Sequence, residues 1–191
     1  CHNAMNRAFR ELGGVSPATL LDQTRKYVLE QLHSTGEDGK DGMDIALCEW
    51  NSVTNTLNFS GAHNPLWIFT KRDMTGEVKE GIRLDAVGDF NLLEVKANKQ
   101  PIGHFDHFVP FTNHSLKLEE GDMLYIFSDG YADQFGGKRG KKLKTKLFKE
   151  LIAMSADKKM EDQAEFISEY FVNWRGDIEQ IDDVCVIGVR V

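Results

Sequence analysis

Met123-Leu124-Tyr125-Ile126-Phe127-Ser128-Asp129-Gly130 is a run of five apolar residues that ends in a hydroxyl, a carboxylate and a glycine. A short apolar run entered through the turn Glu119-Glu120-Gly121-Asp122 reads as a buried strand. Asp129 therefore stands at the rim of a sheet. An ionised carboxylate in such a place is costly unless it is paired, hydrogen-bonded or bound to a cation. The far end of the chain repeats the pattern: Ile181-Asp182-Asp183-Val184-Cys185-Val186-Ile187-Gly188-Val189 sets two acids directly before another apolar strand. If the two strands are neighbours, Asp129 and Asp182 meet at one sheet end, and converging hard oxygen ligands suit magnesium or manganese.

Outward from that strand, the upstream segment Ser115-Leu116-Lys117-Leu118 alternates and is expected to pair with it across the turn at Gly121-Asp122. Beyond Gly130 the spacing turns helical. Leu143, Leu147, Leu151 and Ile152 mark one helix, and Ala164, Ile167, Tyr170, Phe171 and Trp174 mark another. At the start of the chain, Ala4, Met5, Ala8, Phe9 and Leu12 predict an amphipathic helix stopped by Gly13-Gly14. Ser16 then caps a second helix with Pro17 in its first turn. Ser34 to Asp41 reads as an exposed loop. Met43–Trp50 and Thr56–Ser60 form a hairpin around Asn51 to Asn55, and Leu66–Thr70 is a third strand after the corner Gly61-Ala62-His63-Asn64-Pro65. Ile82 to Ala97 holds short strands.

The chain has 191 residues, enough for one substantial core, so residues 1–191 are expected to form a single domain. A formal net charge of −7 excludes an extended nucleic-acid surface, which needs clustered Lys and Arg. The one basic cluster runs from Lys138 to Lys149; it reads as a solvated flap or as an electrostatic contact for a phosphoprotein. Cys1, Cys48 and Cys185 lack the spacing of a zinc knuckle or a disulfide framework, which fits a reducing cytoplasm. No apolar stretch approaches the ~20 residues that span a bilayer, so this segment makes no membrane contact of its own, although a longer protein could be membrane-tethered.

Four pieces in order carry a family resemblance: Gly61-Ala62-His63-Asn64-Pro65, Pro101-Ile102-Gly103, Leu118 to Asp122 leading into Phe127-Ser128-Asp129-Gly130, and Gln180-Ile181-Asp182-Asp183-Val184. Together they resemble the C-terminal portion of a stage II sporulation protein E-type serine/threonine phosphatase, of the metal-dependent, type 2C-like class. The resemblance implies an α+β fold in which a β-sandwich is flanked by helices. It also implies two manganese or magnesium ions held by aspartates at strand ends. By it, Asp129 and Asp182 are metal ligands, and Gly130, Asp133, Asp183 and His63 are secondary site residues. The residues alone leave the alternatives open: Asp129 as the cap of a following helix, Asp182 as a turn acid, Asp133 as a surface acid and His63 as a structural histidine.

The family's upstream motif, Asp-x-Ser/Thr-Gly-His-Gly, does not occur in these residues. The expectation is that the chain lacks the N-terminal strands of the sandwich, with at least one aspartate and one backbone carbonyl of the metal site. Sheet edges left open in this way predict self-association, as a homodimer. The implied activity is hydrolysis of phosphoserine or phosphothreonine on a protein, with a regulator of the anti-anti-sigma kind as substrate and a sensor domain upstream in the same chain. The competing reading is a non-catalytic binding or dimerisation module of the same fold.

Overall fold

The computed structural model describes residues 2–35 and 42–191, leaving Cys1 and residues 36–41 aside. In chain order the elements are α1 (His2–Leu12), α2 (Pro17–Thr35), β1 (Gly42–Met43), β2 (Ile45–Asn51), β3 (Thr56–Ala62), β4 (Leu66–Thr70), a 3-10 turn (Thr75–Glu77), β5 (Ile82–Val87), β6 (Phe90–Val95), β7 (Ile102–Gly103) and β8 (His114–Lys117). They continue with β9 (Met123–Phe127), α3 (Gly130–Asp133), β10 (Phe135–Gly136), β11 (Lys141–Lys142), α4 (Lys144–Ser155), α5 (Met160–Arg175) and β12 (Val186–Arg190). The chain is thus α+β, and it divides into two compact units, residues 1–66 with 95–118 and residues 67–94 with 119–191. No described helix is long and apolar enough to cross a membrane.

In the first unit, α1 ends as Gly13 donates its N–H to the Phe9 carbonyl, and the Ser16 hydroxyl accepts the Thr19 N–H at 3.3 Å to start α2. The two helices bury Ala4, Ala8, Ala18, Leu21 and Val28. Their polar seam is ordered too: Arg7 lies 3.8 Å over the Tyr27 ring, and the Tyr27 hydroxyl donates to Glu11. Helix α2 runs on through Ser34 and Thr35, two residues further than the loop expected at Ser34 to Asp41; the rest of that loop falls outside the described residues. The β2–β3 hairpin forms as its turn residues dictate, with the Asn51 carboxamide accepting the N–H groups of Val53 and Thr54 at 3.0 Å.

One pairing departs from the sequence reading. Strand β8 pairs with β3, with His114 opposite Phe59, to make the three-stranded sheet β2-β3-β8. It is not the partner of β9. The turn between them does not close a hairpin, because Leu118 donates its N–H to Asn55 and so continues the β3 side. Alternation identified the strand but carried no information on its neighbour.

The second unit contains the five-stranded sheet β12-β9-β4-β6-β5. Strand β4 is buried at every position, as expected of an apolar run placed between β9 and β6. Trp67 and Phe69 of β4 meet Phe127, Tyr125 and Phe148 ring to ring at centroid separations of 4.2 to 5.7 Å. Helices α4 and α5 add Phe148, Leu151, Ile152, Ile167 and Phe171 to that core. The expected helical stretch after Gly130 is interrupted: α3 is a single turn, and a small β10–β11 hairpin separates it from α4. Gly136-Gly137 and Gly140 cause the break, the last two at φ of 64° and 55°.

Candidate metal centre

The site follows from the antiparallel pairing of β9 and β12. Val186 lies opposite Phe127 and Arg190 opposite Met123, so the chain leaves β9 where it enters β12. Asp129, two residues past Phe127, and Asp182, four before Val186, therefore stand at the same end of the sheet. The condition on which their convergence depended is met.

Hydrogen bonds carry the pairing beyond the strands. Ser128 donates its N–H to the Cys185 carbonyl at 3.0 Å, and its hydroxyl accepts the Cys185 N–H at 2.9 Å. The same hydroxyl donates to the Asp183 carbonyl at 2.8 Å. Gly130 presses on that peptide from the other side: a Cβ there would fall 2.4 Å from the Asp183 oxygen. Ser128 and Gly130 thus flank Asp129 in sequence and clamp the loop that carries Asp182 and Asp183.

Asp129 is exposed and sits at the N-cap of α3 without capping it through its side chain. The capping role is therefore not the one it takes here. Asp182, also exposed, accepts the Asp183 N–H on Oδ1 at 2.7 Å, while its carbonyl accepts from the Gln180 carboxamide at 2.8 Å. Asp183 is exposed beside it. Asp133, one turn beyond Asp129, donates its N–H to the Asp129 carbonyl, and its carboxylate is held by Lys142 at 2.8 Å. His63 belongs to the first unit; it adopts a φ of 58° and donates its N–H to the Asn98 carbonyl, so its place is set by the corner's backbone.

The donor chemistry fits a hard divalent cation. Carboxylate oxygens from one or two aspartates, with water completing the shell, suit magnesium, and oxygen ligands equally suit manganese. Among the described residues no three His, Cys, Asp or Glu side chains gather into a fuller set. Asp129 and Asp182 by themselves would fill only part of the coordination sphere of such an ion.

The basic run meets this neighbourhood through Lys142, which holds Asp133. Lys138, Arg139, Lys141 and Lys142 are exposed on the β10–β11 hairpin, and the hairpin is tied down rather than loose. Gly137 donates its N–H to the Trp174 carbonyl at 2.7 Å, and a Cβ on Gly136 would fall 2.0 Å from the same oxygen. Sequence reasoning missed two residues of this neighbourhood. Lys142 was absorbed into a charge run, and Gln134 follows a one-turn helix with no periodicity to single it out.

Comparison with known proteins agrees with this architecture. A family model described as Stage II sporulation protein E matches residues 2–191. The SiaA-PP2C domain of Pseudomonas aeruginosa superposes with a TM-score of 0.78 at 23% identity, over 99% of this chain and 66% of that one. The PP2C phosphatase domain of SpoIIE from Bacillus subtilis, solved with a fragment of its regulatory domain, gives 0.64 at 16% identity, over 99% and 48%. The catalytic domain of the serine/threonine phosphatase PstP, in complex with two manganese ions, gives 0.56 at 15%, over 97% and 78%. The chain spans about half to two thirds of the first two of these. No curated protein sequence matches it. The α+β arrangement of antiparallel sheets and helices is the type 2C phosphatase fold.

Proposed function

The chain belongs to the stage II sporulation protein E family, and from that premise we propose that it is part of a metal-dependent protein serine/threonine phosphatase. The observation that carries the proposal is the β9–β12 register, which sets Asp129 and Asp182 at one sheet end with both carboxylates exposed. Manganese or magnesium, as two ions in the intact domain, would supply the Lewis acid that activates water toward phosphorus.

The chain's own residues supply position. Asp129 and Asp182 would hold the metal through carboxylate oxygens. The Ser128 hydroxyl and the bare Cα of Gly130 keep the Asp182 loop in register with Asp129. Asp183 orders Asp182 by donating to its Oδ1. Asp133, whose Oδ2 is engaged by Lys142, would be a secondary ligand. His63 shapes its corner. The substrate class is a phosphoprotein, with regulators of the anti-anti-sigma kind as the expected example, and the domain would act in the cytoplasm as the output of a sensor in the same polypeptide. These assignments rest on family membership.

The test is manganese-dependent turnover of a phosphopeptide, by this chain and by a version extended upstream of Cys1, each with and without Asp129→Asn. Turnover that Asp129→Asn abolishes, with the thermal midpoint preserved, is the expected result. Asp129 makes no capping bond, so its replacement should cost less than about 0.5 kcal/mol of stability. Near-normal turnover by the variant would remove Asp129 from the site. Inactivity of both lengths, with no manganese binding by calorimetry, would favour the non-catalytic binding module.

A further inference from the structure

Gln134 is wholly buried, and its bonds reach α3, the start of α4, the end of α5 and the segment that leads to Asp182. Its N–H donates to the Gly130 carbonyl at 3.1 Å and closes the turn that begins at Asp129. Its carbonyl accepts from the Leu143 N–H at 3.0 Å and from the Trp174 indole N–H at 3.2 Å. Its side-chain Nε2 donates to the carbonyls of Phe135 and Glu179, both at 3.0 Å. Two carbonyl partners fix which end of the carboxamide is nitrogen. The opposite atom, Oε1, is buried with no hydrogen-bond partner among the described residues. A buried polar side chain kept under that penalty is not explained by packing alone, because an apolar residue of equal volume would avoid it.

The bond to Glu179 is the informative one. Glu179 leads directly into Gln180, which donates to the Asp182 carbonyl. On its other side, the same loop is held through Asp183 by Ser128 and Gly130. The Asp182 loop is therefore anchored at both ends to the one short segment, Ser128 to Gln134, that carries Asp129. We propose that Gln134 is a positioning residue for the metal centre: its carboxamide sets the Asp182 loop against Asp129. The inference rests on the metal reading above. Residues that orient ligands without touching the ion typically alter metal affinity by 10–100-fold.

Gln134→Met keeps the volume and removes both donors. Two readouts serve: amide hydrogen exchange at Asp183, whose N–H is bonded to the Asp182 carboxylate, and the manganese dissociation constant by calorimetry in the upstream-extended protein. The expected result is exchange at Asp183 at least tenfold faster and manganese binding about tenfold weaker. Ser155→Ala is the control. It deletes a buried hydroxyl bonded within α4, to Leu151 and Ile152, and should lower stability while leaving both readouts unchanged. Unaltered Asp183 exchange in Gln134→Met, or faster exchange with unaltered manganese affinity, would overturn the proposal. Manganese binding that survives Asp129→Asn would instead sink the metal reading beneath it.

Discussion

Gly130 packs its Cα against the carbonyl of Asp183, so closely that a methyl group would fall 2.4 Å from the oxygen and 3.0 Å from the carbon. Backbone stands on both sides of this contact, and neither side yields as the end of a flexible side chain would. Gly130→Ala must therefore push the Asp183 peptide away from the start of α3, and the Ser128 hydroxyl bond to that peptide goes with it. The expected cost is about 1–3 kcal/mol by denaturant titration, the range for forcing extra volume into a filled space. Manganese affinity in the upstream-extended protein should fall further than Gln134→Met lowers it. Unchanged stability and affinity would show that the loop has room to move and that the glycine serves no positioning role.

A second prediction concerns the other end of β9. Asp122 is 1% exposed and accepts from Arg72 through Nε at 3.2 Å and Nη2 at 2.6 Å. The Glu119 N–H donates to it as well, at 3.0 Å, which fixes the turn that starts the strand. Asp122→Ala strips a partly buried guanidinium of its main partner, and Glu119, at 3.1 Å, is too exposed to replace it. Breaking such a pair from one side costs about 3 kcal/mol. Chemical denaturation should show that loss. Arg72→Met with Asp122→Leu should recover part of it, since no buried charge is then left uncompensated and Glu119 remains in solvent. A single-variant loss under about 1 kcal/mol would place the pair among ordinary surface bridges.

How legible was this arrangement? The strands β9 and β12 and the acids at their ends could be read because apolar runs bounded by turn residues are local signals, and Asp129 lies just after the first run and Asp182 just before the second. The helices α1, α2, α4 and α5 were equally plain from periodicity and from the Ser16 cap. The partner of β8 was not, since alternation fixes which face of a strand is buried and says nothing of what lies beside it. Gln134 and Lys142 were invisible for a related reason. Their roles come from contacts to Glu179 and Asp133 that exist only after a one-turn helix and a small hairpin have folded back.

The last prediction follows from the same sheet. Tyr125 is buried, and burial pushes its hydroxyl from an ordinary 10.0 up to about 12. Burial raises Tyr131 as well, and the bond to Glu11 raises Tyr27. A group whose folded pKa lies above its unfolded value stabilises the fold fully below the unfolded value, and that contribution is lost as pH rises through the folded one. The window for Tyr125 is therefore from about pH 10 to about 12. Absorbance at 295 nm should show that Tyr27, Tyr125 and Tyr131 resist ionisation at pH 10 in the native protein. Denaturant midpoints should fall steeply above pH 10. Tyr125→Phe should make that fall shallower, and it should also lower stability at neutral pH by about 1 kcal/mol, because Gln163 loses the phenol that donates to it. Tyr27, Tyr125 and Tyr131 all titrating near pH 10 in the folded protein would contradict the buried placement of Tyr125 and, with it, the packing of α5 over β9.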